Sequence, residues 1–516
     1  MDTDDGRLAR ALKARLEAEL GRPVPLIETH ISWVLLAGNR AYKLKKAVRL
    51  PFLDFSTRAA RQHFCEEELR LNRRFAPELY LSVLPVTGTV QAPCIGGEGE
   101  PLDHVVCMRR FPAGALLLDR VRRRQVDGPQ VLALARRLAA FHDNAPRVAG
   151  AHAARRAVSQ VAEVIDRLAT SEGAVWHFAA RQWAGKALWR LRRTLGERER
   201  NGGVREVHGD LHLGNIAFID GEALPFDCIE FDPALRCIDV MSDLAFLTMD
   251  LRANGRPDLA FRLLNEYLQV TGDFGGLAVL RFFEVYRALV RASVARLRGD
   301  SGDAARYLRV AARLQEGQKD GAASPGLLIL CGVSGSGKSS LAAPLAANAG
   351  AVCLRSDVER KRLFGLRAEE SSRARGLQIY DTRTSDRTYA RLLALARTAL
   401  HAGFPVVVDA VNHRTADRAR FEALAASLDV PWLLLHCTAR PETLRTRVVQ
   451  RAATGGDASE ADLRVLEAQL ASWESFTPQE MRNMLAVDTD LRVDADGLAA
   501  RWLAQRQLGG RGPERS

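Results

Sequence analysis

The sequence predicts an α+β domain followed by an α/β domain with a parallel sheet, and three observations carry that reading. A short β-rich segment, about residues 24–110, gives way to mostly amphipathic helix. The stretch Glu316-Gly-Gln-Lys-Asp-Gly-Ala-Ala-Ser-Pro-Gly326 is small, polar and glycine-rich, the composition of a linker. Beyond it the apolar runs GLLILC, AVCLRSD, PVVVDA and PWLLLHC alternate with helical segments, the pattern of a parallel sheet covered on both faces. The expected boundaries are 1–315, a linker at 316–326, a second domain at 327–508 and a disordered arginine-rich tail at 509–516.

Composition narrows the function classes. At 516 residues the chain is too long for one core, and 47% hydrophobic with 26% charged residues is ordinary globular composition. It has no long apolar run and begins with the acidic MDTDDGRLAR, so neither a secretory signal nor a membrane span is expected. The eight cysteines are scattered without a CxxC pair, which points to a reducing, cytoplasmic setting and away from zinc. A net charge of +12 permits attraction to nucleic acid, but arginines alternate with acids along most helices, so solvated basic faces are the expected reading. Of 74 basic residues only Lys13, Lys43, Lys45, Lys46, Lys186, Lys319, Lys338 and Lys361 are lysine. Where arginine serves so widely, a retained lysine marks a place for a compact point charge.

One such lysine lies in a phosphate loop. Gly332, Val333, Ser334, Gly335, Ser336, Gly337, Lys338 and Ser339 fit GxxxxGK[ST], directly after the strand LLILC and before a helix that continues through Ser340. Glycines let backbone N–H groups curl around phosphates, Lys338 supplies charge to the terminal oxygens, and the Ser339 hydroxyl can ligate Mg²⁺. Asp357 and Asp409 end two other predicted strands beside this loop, where such sheets bind ligands. Arg360 follows Asp357 by one helical turn. Arg447 and Arg451 lead into Ala-Ala-Thr-Gly-Gly-Asp and read as a lid that closes on transferring phosphate.

The first half carries a different site. His208-Gly-Asp210-Leu-His-Leu-Gly-Asn215 fits HxDxxxxN, in which the aspartate takes an acceptor proton and the asparagine holds metal. Asp220-Gly221 between two apolar runs predicts a two-residue hairpin. Counting back from that turn pairs Ile219 with Glu222 and Ile216 with Pro225, so Asn215 and Asp227 emerge together at its open end as Mg²⁺ ligands. Upstream, Gly38-Asn39 predicts another hairpin, with Lys43 and Lys45 on one strand face. One of them should reach the nucleotide phosphates, with Lys43 favoured, oriented by Glu68 or its neighbour Glu67.

On these residues the chain resembles two families. Residues of about 25–300, through HGDLHLGN, PFDCIEFDP and IDVMSDLAF, resemble the aminoglycoside phosphotransferase family, which shares the bilobal protein-kinase fold. The resemblance implies Asp210 as catalytic base, Asn215 and Asp227 as metal ligands, Met108–Phe111 as the adenine hinge, and structural roles for Asp239 and Asp243. The sequence departs from it twice: Glu-Thr-His-Ile-Ser-Trp stands where a glycine-rich loop would cover the phosphates, and Asp227 is followed by Cys-Ile instead of Phe-Gly. Residues of about 325–495 resemble P-loop small-substrate kinases, namely gluconate and shikimate kinases and the 5′-end polynucleotide kinases. Asp357/Arg360 looks most like the last group, where that aspartate deprotonates the accepting hydroxyl; Asp409 and Asn412 would then be nucleotide- or substrate-side polar groups. The whole arrangement looks like bacterial proteins labelled bifunctional aminoglycoside phosphotransferase/ATP-binding protein.

The expectation is therefore an ATP- and Mg²⁺-dependent phosphotransferase with two nucleotide sites and a small-molecule hydroxyl acceptor. Two other readings compete: a nucleic-acid 5′-end kinase, weakened by the lack of interleaved aromatic and basic stripes, and a nucleotide-sensing regulator with one active domain.

Overall fold

The structure, a computed structural model, describes residues 4–50, 53–150, 152–316, 325–454 and 457–509. Most of the expected linker and all but the first residue of the expected tail lie outside them. The chain divides into two compact units, residues 1–159 with 195–247, and 160–194 with 248–516. The helical region 248–316, expected with the first half, thus belongs to the second unit.

In the first unit an antiparallel sheet runs in the order Leu26–Glu28, Ser32–Ala37, Arg40–Lys45, Asp103–Arg109, Tyr80–Gly88, Pro93–Ile95. The Gly38-Asn39 hairpin forms in the expected register, Ala37 opposite Arg40 and Val34 opposite Lys43. One sheet face packs Leu8, Leu12, Leu35, Leu44 and Val105 into a core. The other carries the helix Arg58–Asn72, capped by the Thr57 side chain accepting from the Ala60 N–H. A second core joins that helix, the sheet and the hairpin Ile216–Ile219/Glu222–Pro225 through Cys65, Leu71, Tyr80, Val106, Ala217 and Leu224. Asp220 and Gly221 both have positive φ, +50° and +89°, as a type I′ turn requires. This is an α+β arrangement in which one helix packs on the sheet and the hairpin joins them in the second core.

In the second unit a five-stranded parallel sheet runs in the order Val352–Arg355, Val406–Asp409, Leu327–Cys331, Trp432–Thr438, Met484–Asp488. Leu327–Cys331 is buried along its whole length, as a central strand covered on both faces must be. The chain leaves this central strand into the phosphate loop, and strands added later lie on either side of it. Ligands bind at such a switch point, beyond the carboxyl ends of the strands. The helices after residue 248 flank the edge strand: the Asn265 side chain donates to Ala351 O at 2.9 Å and accepts from Cys353 N–H at 2.8 Å.

Candidate active sites

Strand alternation sets Lys43 and Lys45 on the face opposite Leu44. Lys43 Nζ donates to Glu68 Oε1 at 2.9 Å and to Asp227 Oδ1 at 2.5 Å. Lys45 Nζ donates to Glu68 Oε2 at 2.8 Å and also to Glu230. Glu68, wholly buried, therefore serves both lysines, while Glu67 turns away to Arg70 and Arg236. Burial opposes charge on Lys43, but the carboxylates of Asp227, Glu68 and Glu230 outweigh it and hold the ammonium well above its ordinary pKa. Glu68 is likewise buried, and the two ammonium groups nonetheless bring its carboxyl down to about 2. Burial pushes Glu230 upward, with Lys45 offsetting part of that rise.

The loop from His208 to Asn215 is held by its backbone. Asp243 accepts the N–H groups of His208 at 3.1 Å and Gly209 at 2.8 Å, and His142 Nε2 lies 3.1 Å from it. Gly209 has φ +84°, and a Cβ there would stand 2.7 Å from Leu235 O, so the turn needs glycine. His208 Nε2 donates to Phe226 O at 2.9 Å, tying the loop to the hairpin; burial lowers its pKa, which keeps it a neutral structural group. Asn215 Nδ2 donates to Asp210 Oδ2 at 2.9 Å, and Phe226 N–H donates to Asn215 O at 2.9 Å. The hairpin register is Ile216 with Pro225 and Ile219 with Glu222. Asp227, at φ +62°, is fixed by its N–H donating to the Tyr80 hydroxyl at 3.1 Å, and Cys228 N–H donates to Asn72 Oδ1 at 2.9 Å. Lys43, Glu68 and Asp227 thus form one ion network, and Asp210 and Asn215 form a pair tied through Phe226 N–H to the residue before Asp227. Because Asn215 spends its Nδ2 on Asp210, its Oδ1 is the atom left to act as a ligand. Asp227 keeps a second oxygen on a partly exposed side chain. These hard oxygen donors fit Mg²⁺.

In the second unit the loop begins at Gly332, φ +144°, where a Cβ would lie 2.4 Å from Cys437 O. Gly337 ends it as the left-handed residue before the helix Lys338–Asn348. Lys338 Nζ donates to Val333 O at 2.9 Å and to Ser336 Oγ at 3.3 Å. Burial lowers its pKa, with Asp409 as the largest opposing charge. Asp409 ends Val406–Asp409 and is raised by burial, with Arg355, Lys338 and Ser339 opposing the rise. It sits on the phosphate-loop side, with Arg355 Nε 3.6 Å away, and not among the residues lining the neighbouring cavity. Ser339 and Asp409 are again oxygen donors of the kind Mg²⁺ takes. Ser340 lies on the exposed side of the helix.

That cavity, about 620 Å³, is lined by Ser334, Asp357, Arg360, Tyr380, Asp417 and Gln469 among others. Asp357 and Arg360 share the short helix Ser356–Arg362, which follows the strand Val352–Arg355. Arg360 Nη1 donates to Ile379 O at 3.0 Å and Ser385 Oγ at 3.2 Å, and its plane lies over the Tyr380 ring. Its Nε is buried without a hydrogen-bond partner among the described residues. Asp357 lies 3.5 Å from the Tyr380 hydroxyl, which accepts from Glu460 N–H at 3.0 Å.

The two expected lid arginines do not line the cavity. Arg447 donates to Gly335 O at 3.2 Å and Thr489 O at 2.7 Å, bracing the phosphate loop from behind. Arg451 donates to Ala461 O at 2.8 Å, anchoring the segment after its helix. Helical spacing toward a glycine-rich stretch could not distinguish a brace from a lid.

Sequence reasoning missed Glu230, Tyr80 and Asn72 in the first site, and Tyr380, Arg355 and Gln469 in the second. Glu230 was in plain view three residues beyond Asp227, and Arg355 two residues before Asp357; the others are brought in from distant elements and left no local signal.

Known proteins resemble this chain in part or along most of its length. Residues 327–476 match the AAA domain family. A choline/ethanolamine kinase family protein from Mesorhizobium loti overlaps 60% of this chain and 94% of its own, at 14% identity and a TM-score of 0.38. A gluconokinase from Sinorhizobium meliloti overlaps 37% of this chain and 93% of its own, at 20% identity and a TM-score of 0.24. Uncharacterized proteins of Mycobacterium tuberculosis and Mycobacterium bovis are 31% identical over 502 residues, 93% of this chain and 93% of each relative. The likeness runs through both units, and the chain belongs to the same family as these mycobacterial proteins.

Proposed function

We propose that the chain is an ATP- and Mg²⁺-dependent phosphotransferase with a nucleotide site in each unit, each passing a terminal phosphoryl group to a hydroxyl of a small molecule. The observation that carries the reading is Lys43 bonded at once to Glu68 and Asp227, in the site where Asn215 holds Asp210. Phosphoryl transfer asks the protein mainly for positioning and charge, and each residue there has a matching task. Lys43 presents a fixed ammonium to phosphate oxygens. Asp210 accepts the proton of the attacking hydroxyl. Asn215 Oδ1 and the second oxygen of Asp227 would hold Mg²⁺, which when bound neutralises the developing phosphate charge.

In the second unit Lys338 and the loop N–H groups serve the phosphates, and Ser339 with Asp409 would hold the metal. Asp357 is the base, and Arg360, fixed through Nη1, brings its guanidinium charge to the cavity that would hold the acceptor. A cavity of about 620 Å³ is the size of a small-ligand site. Its lining mixes carboxylates and guanidinium groups, so hydroxyls that both donate and accept suit it. Small polyhydroxylated acceptors are favoured over a nucleic-acid strand.

The test is ADP formation by the full-length protein across sugars, amino sugars, aminoglycosides and a 5′-hydroxyl oligonucleotide, repeated in Asp210→Asn and Lys338→Ala. Acceptor-dependent turnover lost in one variant and kept in the other assigns the acceptor to a unit. Turnover that persists in the double variant would overturn the two-site reading. Phosphorylation of the oligonucleotide, lost in both Asp357→Asn and Arg360→Ala, would replace the small acceptor with a strand end.

A further inference from the structure

The Val333–Ser334 peptide of the phosphate loop is gripped at both ends. Its carbonyl accepts from Lys338 Nζ at 2.9 Å, and its N–H donates to Gln469 Oε1 at 2.8 Å. In a trans peptide these two groups point in opposite directions. The carbonyl is therefore turned toward the lysine and the N–H toward the cavity that Ser334, Asp357 and Gln469 line together.

Gln469 comes from the helix Leu463–Ala471, which starts on an Asp462 cap accepting from the Val465 N–H at 2.9 Å. Leu466 of that helix is buried with Val333, Leu444 and Val448. Residues three apart on a helix share a face, so the packing of Leu466 on Val333 delivers Gln469 to the next loop residue. The amide orientation follows from chemistry. An N–H can donate only to Oε1, which leaves Nε2 as the outward group. Nε2 has no hydrogen bond among the described residues.

We infer that Gln469 is a catalytic residue of the second unit, donating from Nε2 to the terminal phosphoryl group as it passes from the phosphate loop to the acceptor in the cavity. The inference rests on the phosphotransfer reading above and adds to the loop a donor from a separate element. A carboxamide locked at one end by a backbone N–H costs no reorganisation when phosphate charge develops. That is what makes a fixed donor effective.

The experiment uses full-length protein carrying Asp227→Ala, which removes a metal ligand of the first site and leaves the second site to be read. Calorimetry measures ADP with Mg²⁺, with and without aluminium fluoride, which imitates the transferring phosphoryl group, in Gln469 and in the Gln469→Ala and Gln469→Glu variants. Glutamate still accepts the Ser334 N–H, so the loop keeps its shape, but it has no N–H to donate. The expected result is ADP affinity within about threefold in all three. The tightening by aluminium fluoride falls by on the order of 10² in both variants, the usual effect of removing one fixed donor. Tightening preserved in Gln469→Glu would overturn the inference, because holding the loop would then be the whole role. Protein that binds ADP without any tightening, even with Gln469 intact, would overturn the phosphotransfer reading and the inference with it.

Discussion

Under the proposed function Lys43 and Lys338 have the same task in the two units, and their surroundings are opposite. Lys43 stands among Glu68, Asp227 and Glu230, which hold its charge well above the ordinary range. Lys338 is held by a carbonyl and a hydroxyl, and burial depresses it. The first site therefore carries its cation as part of an ion network that the protein completes by itself. In the second, on the proposed reading, a bound phosphate would be the lysine's strongest counter-charge. The first site would then be assembled by the protein alone, the second by protein and nucleotide together.

Four experiments test this contrast. Asp210→Asn should remove acceptor phosphorylation by the first unit while nucleotide affinity stays within a fewfold, since the carboxylate faces the acceptor hydroxyl. Losing a positioned base costs roughly 10²–10⁴ in rate. Wild-type kcat in this variant would dismiss the catalytic-loop assignment.

Glu68→Gln should come next in size. It leaves two buried ammonium groups short of a carboxylate, and breaking such a buried pair costs about 3–5 kcal/mol. The pH dependence has a definite sign. Glu68 titrates at about 2 in the fold, against roughly 4.3 in an unfolded chain. Its contribution is complete above about pH 4.3 and is lost as pH falls through 2, so the difference between wild type and variant in denaturant melts should shrink across that window. A difference that stays constant down to pH 2 would mean Glu68 is not the hub of the network.

Arg360→Ala should raise the acceptor KM of the second unit by about 10- to 100-fold, the worth of a hydrogen bond to a charged group, with the ATP KM unchanged. Arg360→Lys should not restore it, since an ammonium cannot keep one nitrogen on Ile379 O and present another to the cavity. An equal rise in both KM values would move Arg360 to the nucleotide. The smallest effect is in alkaline solution. Because Lys338 is depressed and Lys43 raised, ATP affinity at the second site should weaken at lower pH than at the first, by about tenfold over one unit beyond the Lys338 pKa. Calorimetric titrations from pH 7 upward would test it, and simultaneous weakening at both sites would contradict the contrast.

How much of this was legible depends on the range of each interaction. The two hairpins could be read because a period of two and a two-residue turn fix register within a dozen residues; Asn215, Asp227, Lys43 and Lys45 were placed by counting alone. The phosphate loop announced itself through its glycines and the strand before it. The fifth parallel strand, Met484–Asp488, was missed because its residues are half-buried or exposed, without the apolar run of a central strand. Gln469 was missed for another reason: a helix pattern shows which face is buried but not what it meets. The same limit explains the helices after residue 248, whose amphipathic faces gave no hint that they belong with the parallel sheet.

Asn265 gives that last point a practical meaning. Its side chain satisfies Ala351 O and Cys353 N–H, the outward-facing groups along the border of the parallel sheet. A strand border stripped of its partner is a template for pairing with another chain. Anyone dividing this protein at the glycine-rich stretch before residue 326, the place where the sequence invites a cut, would unclothe that border and should expect an insoluble fragment. The seam in the gene product and the seam in the folded body are different places, and the helices from 248 onward travel with the phosphate loop.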